Sequence, residues 1–170
     1  MSDHNFDVVI LGGGSGGYAA ALRSAQLGLS VALIERDKLG GTCLHRGCIP
    51  TKALLHSAEV ADVTREAATY GIQATLQGVD MPAVNKYRDG IIERLYKGLS
   101  GLVSSKAITL VAGEGRMVGP KTIAVGADTY TGKNVVLATG SYSKTIPGLE
   151  LQGRFLDRSE EHTSELQSHS

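Results

Sequence analysis

Short apolar runs and longer periodic segments alternate along the first part of the chain. The run Asp7–Leu11 is rich in β-branched and aliphatic residues, which is typical of a buried parallel strand. The segment Tyr18–Leu27 is rich in small residues and is followed by Gly28, which predicts a helix that ends there. A second apolar run, Val31–Ile34, leads to Glu35. The beginning of the chain is therefore predicted to be strand, helix and strand.

The central part of the chain changes to helical spacing and then back to a strand pattern. Residues 53–70 and residues 81–106 carry apolar side chains at intervals of three and four, which predicts two long helices. From Ala107 the period shortens, and three runs of β-forming residues are separated by turn residues. These three runs are 108–111, 122–125 and 134–138. We interpret them as a small β-meander between Ala107 and Ala138.

Glycines directly after the first strand define a motif for binding a dinucleotide. Gly12, Gly14 and Gly17 have the spacing Gly-x-Gly-x-x-Gly, and Glu35 ends the second strand. In such a motif the first glycine permits a tight turn, the second lets the backbone approach a pyrophosphate, and the third permits close helix–strand packing. The acid accepts hydrogen bonds from the ribose. A glycine turn without a ligand is the alternative, and the flanking strand, helix and acid argue against it. The fold class is thus predicted to be α/β, with a Rossmann-like sheet.

Both cysteines of the chain lie in one glycine-rich stretch. Four residues separate Cys43 from Cys48. In a regular helix this separation corresponds to about 7.5 Å along the axis, whereas the Cα atoms of a disulfide are rarely more than about 7 Å apart. A disulfide would therefore need irregular backbone, which Gly47 permits, and Pro50 suits the first turn of a helix. Cys48 is then expected near a helix N-terminus, where a thiolate is favoured.

Neighbouring polar residues admit more than one role. Lys52, four residues after Cys48, is either a solvated lysine or a cation near the thiolate. A zinc site would need three or four ligands, and His45 with the two cysteines would supply three. No other cysteine exists and the remaining histidines have no ligand spacing, so no metal site is predicted.

The sequence Gly40-Gly41-Thr42-Cys43-x4-Cys48-x-Pro50-x-Lys52 resembles the redox-active disulfide motif of the pyridine nucleotide-disulfide oxidoreductases. The resemblance extends from about Phe6 to Leu156. It implies an FAD-binding domain and a set of residues along the cofactor. That set is Gly12, Gly14, Gly17, Glu35, Gly41, Thr42, Lys52, Gly115, Thr139, Gly140 and Ser141. From the residues alone, Gly113–Gly115 is equally compatible with contact to an adenine and with a plain strand connection.

The resemblance also implies the reaction. Cys43 would exchange with a substrate disulfide or dithiol, and Cys48 would face the flavin. Among the family's members, the residues between and after the cysteines most resemble those that oxidise dihydrolipoamide. Electrons would then pass through the disulfide and FAD to NAD, with the lipoyl domain of a 2-oxo acid dehydrogenase complex as partner and a homodimer as the full-length form. The alternatives are a reductase for another disulfide or for mercuric ion, and an FAD-binding fragment without catalysis.

The family continues with NAD-binding, central and dimer-interface domains, for which we find no motif after Gly140. We therefore expect an incomplete FAD-binding domain, residues 1–157, that is inactive alone. The polar segment 158–170 is expected to be a non-native tail, because Arg158–Ser168 matches the translation of a widely used sequencing adapter.

Charge and hydropathy exclude other classes of partner. The chain has 17 basic and 17 acidic residues without a basic stripe, which argues against nucleic acid as a partner. No apolar run approaches the roughly 20 residues that span a bilayer, and the first residues do not resemble a signal peptide. A cytoplasmic protein is expected, in which close cysteines are more often catalytic than structural.

Overall fold

The computed structural model describes residues 2–142 and residue 144. Within this part the chain forms two compact units, one of residues 2–43 and 96–142 and the other of residues 44–95 and 144. The first contains the whole sheet, and the second contains one long helix and the first half of another.

The elements follow the order predicted for an α/β domain. The strands are β1 (Asp3–Leu11), β2 (Val31–Glu35), β3 (Ile108–Ala112), β4 (Gly115–Gly119), β5 (Thr122–Val125) and β6 (Asp128–Leu137). The helices are α1 (Ser15–Gln26), α2 (Gly41–His45), α3 (Cys48–Glu66) and α4 (Met81–Ser104), with a short 3₁₀ helix at Ala67–Tyr70.

The six strands form one mixed sheet in the order β3-β2-β1-β6-β5-β4. The first four strands of that order are parallel, and β5 is antiparallel to both of its neighbours, β6 and β4. In the register of β1, Val9 lies opposite Ala32 of β2 and Val135 of β6. A parallel sheet with its strand order reversing beside β1 places ligands at the carboxyl ends of the strands.

Successive residues of β1 and β2 point to opposite faces of the sheet, and each face has its own core. On one face Ile10 and Leu33, both fully buried, pack with residues of α1 and with Val103 of α4. On the other face Val9 and Ile34 pack against Ile123 of the meander. Because side chains alternate along a strand, one apolar run fills both layers. This burial explains why the runs lack polar residues.

The structure confirms the α/β prediction and corrects its details. The strand β3 pairs in parallel with β2 and does not belong to the meander, which consists of β4, β5 and β6. The strand β4 was not predicted, because three of its five residues are exposed and it has no buried alternation. The helix α2 was also not predicted, since five residues are too few for a period.

Two further corrections concern the ends of elements. The strand β1 begins at Asp3, earlier than predicted, because its polar first residues pair with Thr129–Gly132 of β6. The helix α3 begins five residues before the segment 53–70 whose spacing predicts it, and its start at Cys48 agrees with the separate expectation that this cysteine lies near a helix N-terminus. Among the described residues, no helix combines the length and the apolar character needed to cross a membrane. The proposed boundary at Asp157 and the tail 158–170 lie outside the described residues.

Candidate functional site

The glycine motif forms a tight turn between β1 and α1. Gly12 has a φ of 103°, and a Cβ atom there would lie 2.2 Å from the carbonyl oxygen of Ala138. A Cβ atom at Gly17 would lie 1.7 Å from the carbonyl oxygen of Gly12. Real Cβ contacts are not this short, so only glycine fits at both positions. The roles predicted for Gly12 in the turn and for Gly17 in helix–strand packing agree with this geometry.

The N-terminus of α1 is open on the side where a phosphate would approach. Gly14 is the residue preceding the helix, and no side chain from the described residues caps the first turn. A Cβ atom at Gly14 would find only the Cα atom of Gly41, at 3.9 Å, and one at Gly16 would find no atom within 4 Å. Uncapped backbone N–H groups at a helix N-terminus attract anions. The loop therefore fits a pyrophosphate.

The carboxylate of Glu35 is held by backbone N–H groups on both oxygens. The N–H of Gly13 donates to Oε2 over 2.6 Å, and the N–H of Asp37 donates to Oε1 over 2.8 Å. Each carboxylate oxygen has two lone pairs, so both can still accept a further hydrogen bond. Glu35 thus links the glycine loop to the end of β2 and keeps the capacity to bind a ribose hydroxyl.

A cleft of about 150 Å³ opens at the carboxyl ends of β1 and β2. It brings together Gly12, Glu35, Gly115 and Thr139, four of the residues predicted to lie along the cofactor. The other lining residues are Leu11, Ile34, Arg36, Gly113 and Glu114. The sequence placed these residues in four separate segments, and the parallel sheet gathers them at one edge.

The connection from β3 to β4 forms one wall of this cleft. The N–H of Gly113 donates to the carbonyl oxygen of Glu35 over 2.9 Å. A Cβ atom at Gly115 would lie 2.6 Å from Cδ1 of Leu11 and 2.9 Å from Cγ2 of Ile34. The lack of a side chain at Gly115 therefore lets the backbone lie against the ends of β1 and β2. Gly113–Gly115 therefore borders the cleft, and its contact with an adenine stays a prediction.

The segment that leads to the first cysteine contacts the glycine loop through backbone atoms. The N–H of Gly40 donates to the carbonyl oxygen of Gly13 over 2.9 Å, and Gly40 forms a parallel bridge with Gly14. A Cβ atom at Gly41, where φ is 59°, would lie 2.8 Å from the Cα atom of Gly14. The helix α2 starts at Gly41 and contains Thr42, which is exposed, and Cys43, which is half-buried.

The second cysteine begins a helix, as predicted. Cys48 is the first residue of α3 and is half-buried, and no side chain from the described residues caps the helix at Gly47. Gly47 has φ −149° and ψ −106°, which interrupts the helical backbone between α2 and α3. Pro50 lies in the first turn and is fully buried. The N-terminal position of Cys48 favours its thiolate. The disulfide itself stays a prediction.

Three further residues of the predicted set are exposed. Lys52 is exposed on α3, four residues after Cys48 and thus on the same side of that helix. Gly140, with a φ of 76°, and Ser141 follow β6 and are exposed. Their contact with a cofactor stays a prediction.

Sequence reasoning missed several residues of the site. Gly13 and Gly40 form the backbone contacts described above, and Arg36 and Glu114 face each other over 3.6 Å at the cleft as an exposed ion pair. The consecutive glycines were a sign of the first two, because a glycine at a position that the motif leaves open indicates a close backbone approach. The sequence contains no comparable sign for the ion pair. Among residues 2–142 and 144, no group of three or more His, Cys, Asp or Glu side chains is placed to hold a metal ion.

The glycine loop, the acid at the end of β2 and the cleft beside them define a nucleotide-binding domain of the Rossmann type. The chain belongs to the pyridine nucleotide-disulphide oxidoreductase family, whose model matches residues 6–170.

Relatives with curated names support this membership. The chain is 43% identical over 169 residues to dihydrolipoyl dehydrogenase of Bacillus subtilis, covering 92% of this chain and 36% of the relative. It is 43% identical over 157 residues to dihydrolipoyl dehydrogenase 1, mitochondrial, of Arabidopsis thaliana, covering 88% of this chain and 31% of the relative. It is as similar to leghemoglobin reductase of Glycine max, at 43% over 157 residues, with 88% and 30% covered. The chain spans about a third of the length of these relatives.

A solved structure has the same fold. It is the Cu(II) complex of the HOCl-induced flavoprotein disulfide reductase RclA from Escherichia coli, with a TM-score of 0.70 and 24% sequence identity. The match covers 85% of this chain and 30% of that one. At this identity the likeness concerns the fold alone.

Proposed function

We propose that this chain is the FAD-binding and disulfide-bearing segment of a dihydrolipoyl dehydrogenase. The observation that carries the proposal is the backbone contact between the dinucleotide loop and the segment that leads to Cys43. The N–H of Gly40 donates to Gly13, so nucleotide site and first thiol occupy one part of the first unit. The curated names of the relatives, dihydrolipoyl dehydrogenase in two of the three described above, point to dihydrolipoamide as the substrate.

The chain's own residues would hold FAD through three kinds of contact. The uncapped N–H groups at the start of α1 would bind the pyrophosphate beside Gly14, and the carboxylate of Glu35 would accept hydrogen bonds from the ribose. The backbone at Gly115 would face the adenine. The glycines exclude side chains from this path, which lets the main chain approach the cofactor closely.

The cysteines would carry out thiol–disulfide exchange with the substrate. One thiolate of dihydrolipoamide attacks Sγ of Cys43, and the Cys43–Cys48 bond breaks with release of the Cys48 thiolate. The second thiolate of the substrate then attacks the substrate sulfur of the mixed disulfide. The new bond closes lipoamide, and the Cys43 thiolate is released. The start of α3 stabilises the thiolate of Cys48, so it is a good leaving group. Bound FAD would accept the two electrons of the dithiol and pass them to NAD as a hydride.

FAD binding is the step to test first. Gly14→Val puts a side chain into the open space beside the loop, where φ is −68° and any residue is allowed. We expect thermal stability close to that of the unmodified chain and an FAD affinity lower by about tenfold or more, which is about 1.4 kcal/mol. Titration of flavin fluorescence measures the affinity. Gly119→Val is the matched control, because its Cβ atom would meet Thr122 at an ordinary 3.8 Å and it lies outside the cleft.

Two results bear directly on the proposal. An unmodified chain that does not bind FAD, or a Gly14→Val variant that binds it as tightly, would contradict the cofactor assignment. For the substrate, dihydrolipoamide should reduce the oxidised chain to two free thiols, whereas glutathione should do so more slowly. Equal rates would contradict the substrate assignment. We expect no reduction of NAD by the 170 residues alone, because the family's NAD-binding and interface domains have no motif in this sequence.

A further inference from the structure

We propose that the occupancy of the dinucleotide loop controls the reactivity of Cys43, and that Gly41 is the positioning residue that couples the two. The inference rests on the proposed binding of a nucleotide diphosphate at the glycine loop. It adds that binding at one end of this contact changes the chemistry at the other.

The contact is made by main-chain atoms that lie close together. The N–H of Gly40 donates to Gly13 over 2.9 Å, and the bridge between Gly40 and Gly14 runs parallel. A Cβ atom at Gly41 would lie 2.8 Å from the Cα atom of Gly14, so the two backbones touch. A movement of the glycine loop should therefore move the segment Gly40–Gly41, and the reverse.

A buried side chain of the core also holds this contact in place. Leu39 is 3% exposed and belongs to the core that includes Ile10 and Leu33. Its Cδ2 atom lies 2.8 Å from the position that a Cβ atom would take at Gly13. The chain from Leu39 to Gly41 is thus anchored in the core and against the loop before α2 begins.

Cys43 is the third residue of α2, so the placement of this short helix follows from the contact at Gly41. The thiol is half-buried, so an alkylating reagent should react faster with an open form, in which α2 has moved away from the loop. A diphosphate that binds the loop in its present arrangement stabilises the contact and lowers the population of the open form. Binding should therefore slow the alkylation of Cys43, and by linkage the alkylated protein should bind the diphosphate more weakly.

The experiment uses the full chain with Cys48→Ser, which leaves Cys43 as the single thiol. Iodoacetamide alkylation is followed by mass spectrometry without nucleotide and with ADP at a concentration shown by titration to saturate each variant. We expect saturating ADP to slow alkylation by about fivefold or more, the low end of typical coupling between sites. With Gly41→Ala the added methyl separates the two backbones, and the protection by ADP should fall below about twofold.

Gly126→Ala is the matched control for backbone strain. Gly126 has the same φ of 59° as Gly41, but a Cβ atom there would find no atom within 4 Å. Both variants introduce a non-glycine residue in the left-handed region, and only one disturbs the contact. The Gly126→Ala variant should keep the full protection by ADP. If Gly41→Ala does not fold, Leu39→Ala serves instead, because it loosens the anchor without adding a clash and should reduce the protection.

The outcomes separate the coupling from the proposed function. ADP that binds the Cys48→Ser chain without slowing alkylation overturns the coupling and leaves nucleotide binding intact. Protection that persists in both Gly41→Ala and Leu39→Ala at saturating ADP shows direct shielding of the thiol, and this also overturns it. A chain that binds neither ADP nor FAD overturns the coupling together with the proposed function.

Discussion

Replacing Gly17 with alanine would add a methyl group inside the turn that connects β1 to α1. The new Cβ atom would lie 1.7 Å from the carbonyl oxygen of Gly12, and the N–H of Gly12 is itself hydrogen-bonded to Ile34 over 2.8 Å. Neither side of the clash is a flexible side chain, so α1 must retreat from the sheet by more than an ångström. Overpacking of this kind costs roughly 1–3 kcal/mol, and a clash with fixed backbone belongs at the upper end. The alanine recovers about 0.5–1 kcal/mol of helix stability.

The net loss for Gly17→Ala should therefore be about 2 kcal/mol, which lowers the melting temperature of a chain of this size by roughly 4–8 °C. Thermal and urea unfolding followed by circular dichroism measure both quantities. Gly16→Ala is the matched control, because it lies in the same helix turn and its Cβ atom would meet no atom within 4 Å. It should be as stable as the unmodified chain or slightly more so. Equal stability of the two variants would refute the packing argument.

Two further predictions concern charge and thiol chemistry. Lys133 and the hydrogen bonds from Ser30 hold the pKa of Asp7 well below its ordinary value of 3.8. The ionised carboxylate therefore stabilises the folded chain fully above pH 3.8, and this stabilisation disappears as the pH falls towards the lowered pKa. Urea unfolding should accordingly show Asp7→Asn less stable than the unmodified chain at pH 7, with the difference shrinking below pH 3.8; a constant difference would contradict this. In single-cysteine variants at pH 7, Cys48 should be alkylated faster than Cys43. Cys48 begins the long helix α3, whose N-terminus favours the thiolate, whereas Cys43 lies in α2, which has five residues. The two rates should converge above about pH 9, where both thiols ionise. A faster Cys43 would argue against the helix effect.

The types of the buried elements could be predicted from the sequence, whereas the pairing of strands could not. Asp7–Leu11 and Val31–Ile34 are apolar because both faces of the sheet are covered, and this produces a local pattern. The run 108–111 has an equally clear strand pattern, but its partner β2 is more than seventy residues away along the chain. Nothing in a local pattern distinguishes that partner from the neighbouring β4, so β3 was wrongly placed in the meander.

A similar limit applies to the site. Gly12, Glu35, Gly115 and Thr139 were predicted one by one, from motif spacing or from family resemblance, and the structure shows them around one cleft. Glycines that the dinucleotide motif itself requires could be predicted. The pair Gly40-Gly41 indicated a close backbone approach, but the partner of Gly40 could not be predicted, because it is Gly13 of a distant turn and depends on how the chain returns from β2.

The two hydrogen bonds on Glu35 give this acid a structural role within the chain. A carboxylate without such bonds could rotate, and the binding of a ligand would then have to order it at an entropic cost. Here the N–H of Gly13 and the N–H of Asp37 each occupy one oxygen, so the carboxylate is already fixed. The bond from Gly13 also holds the glycine loop, whose carbonyl at the same residue accepts from Gly40. Glu35 therefore stabilises the glycine loop and, through Gly13, its contact with Gly40, while each of its oxygens can still accept a further hydrogen bond.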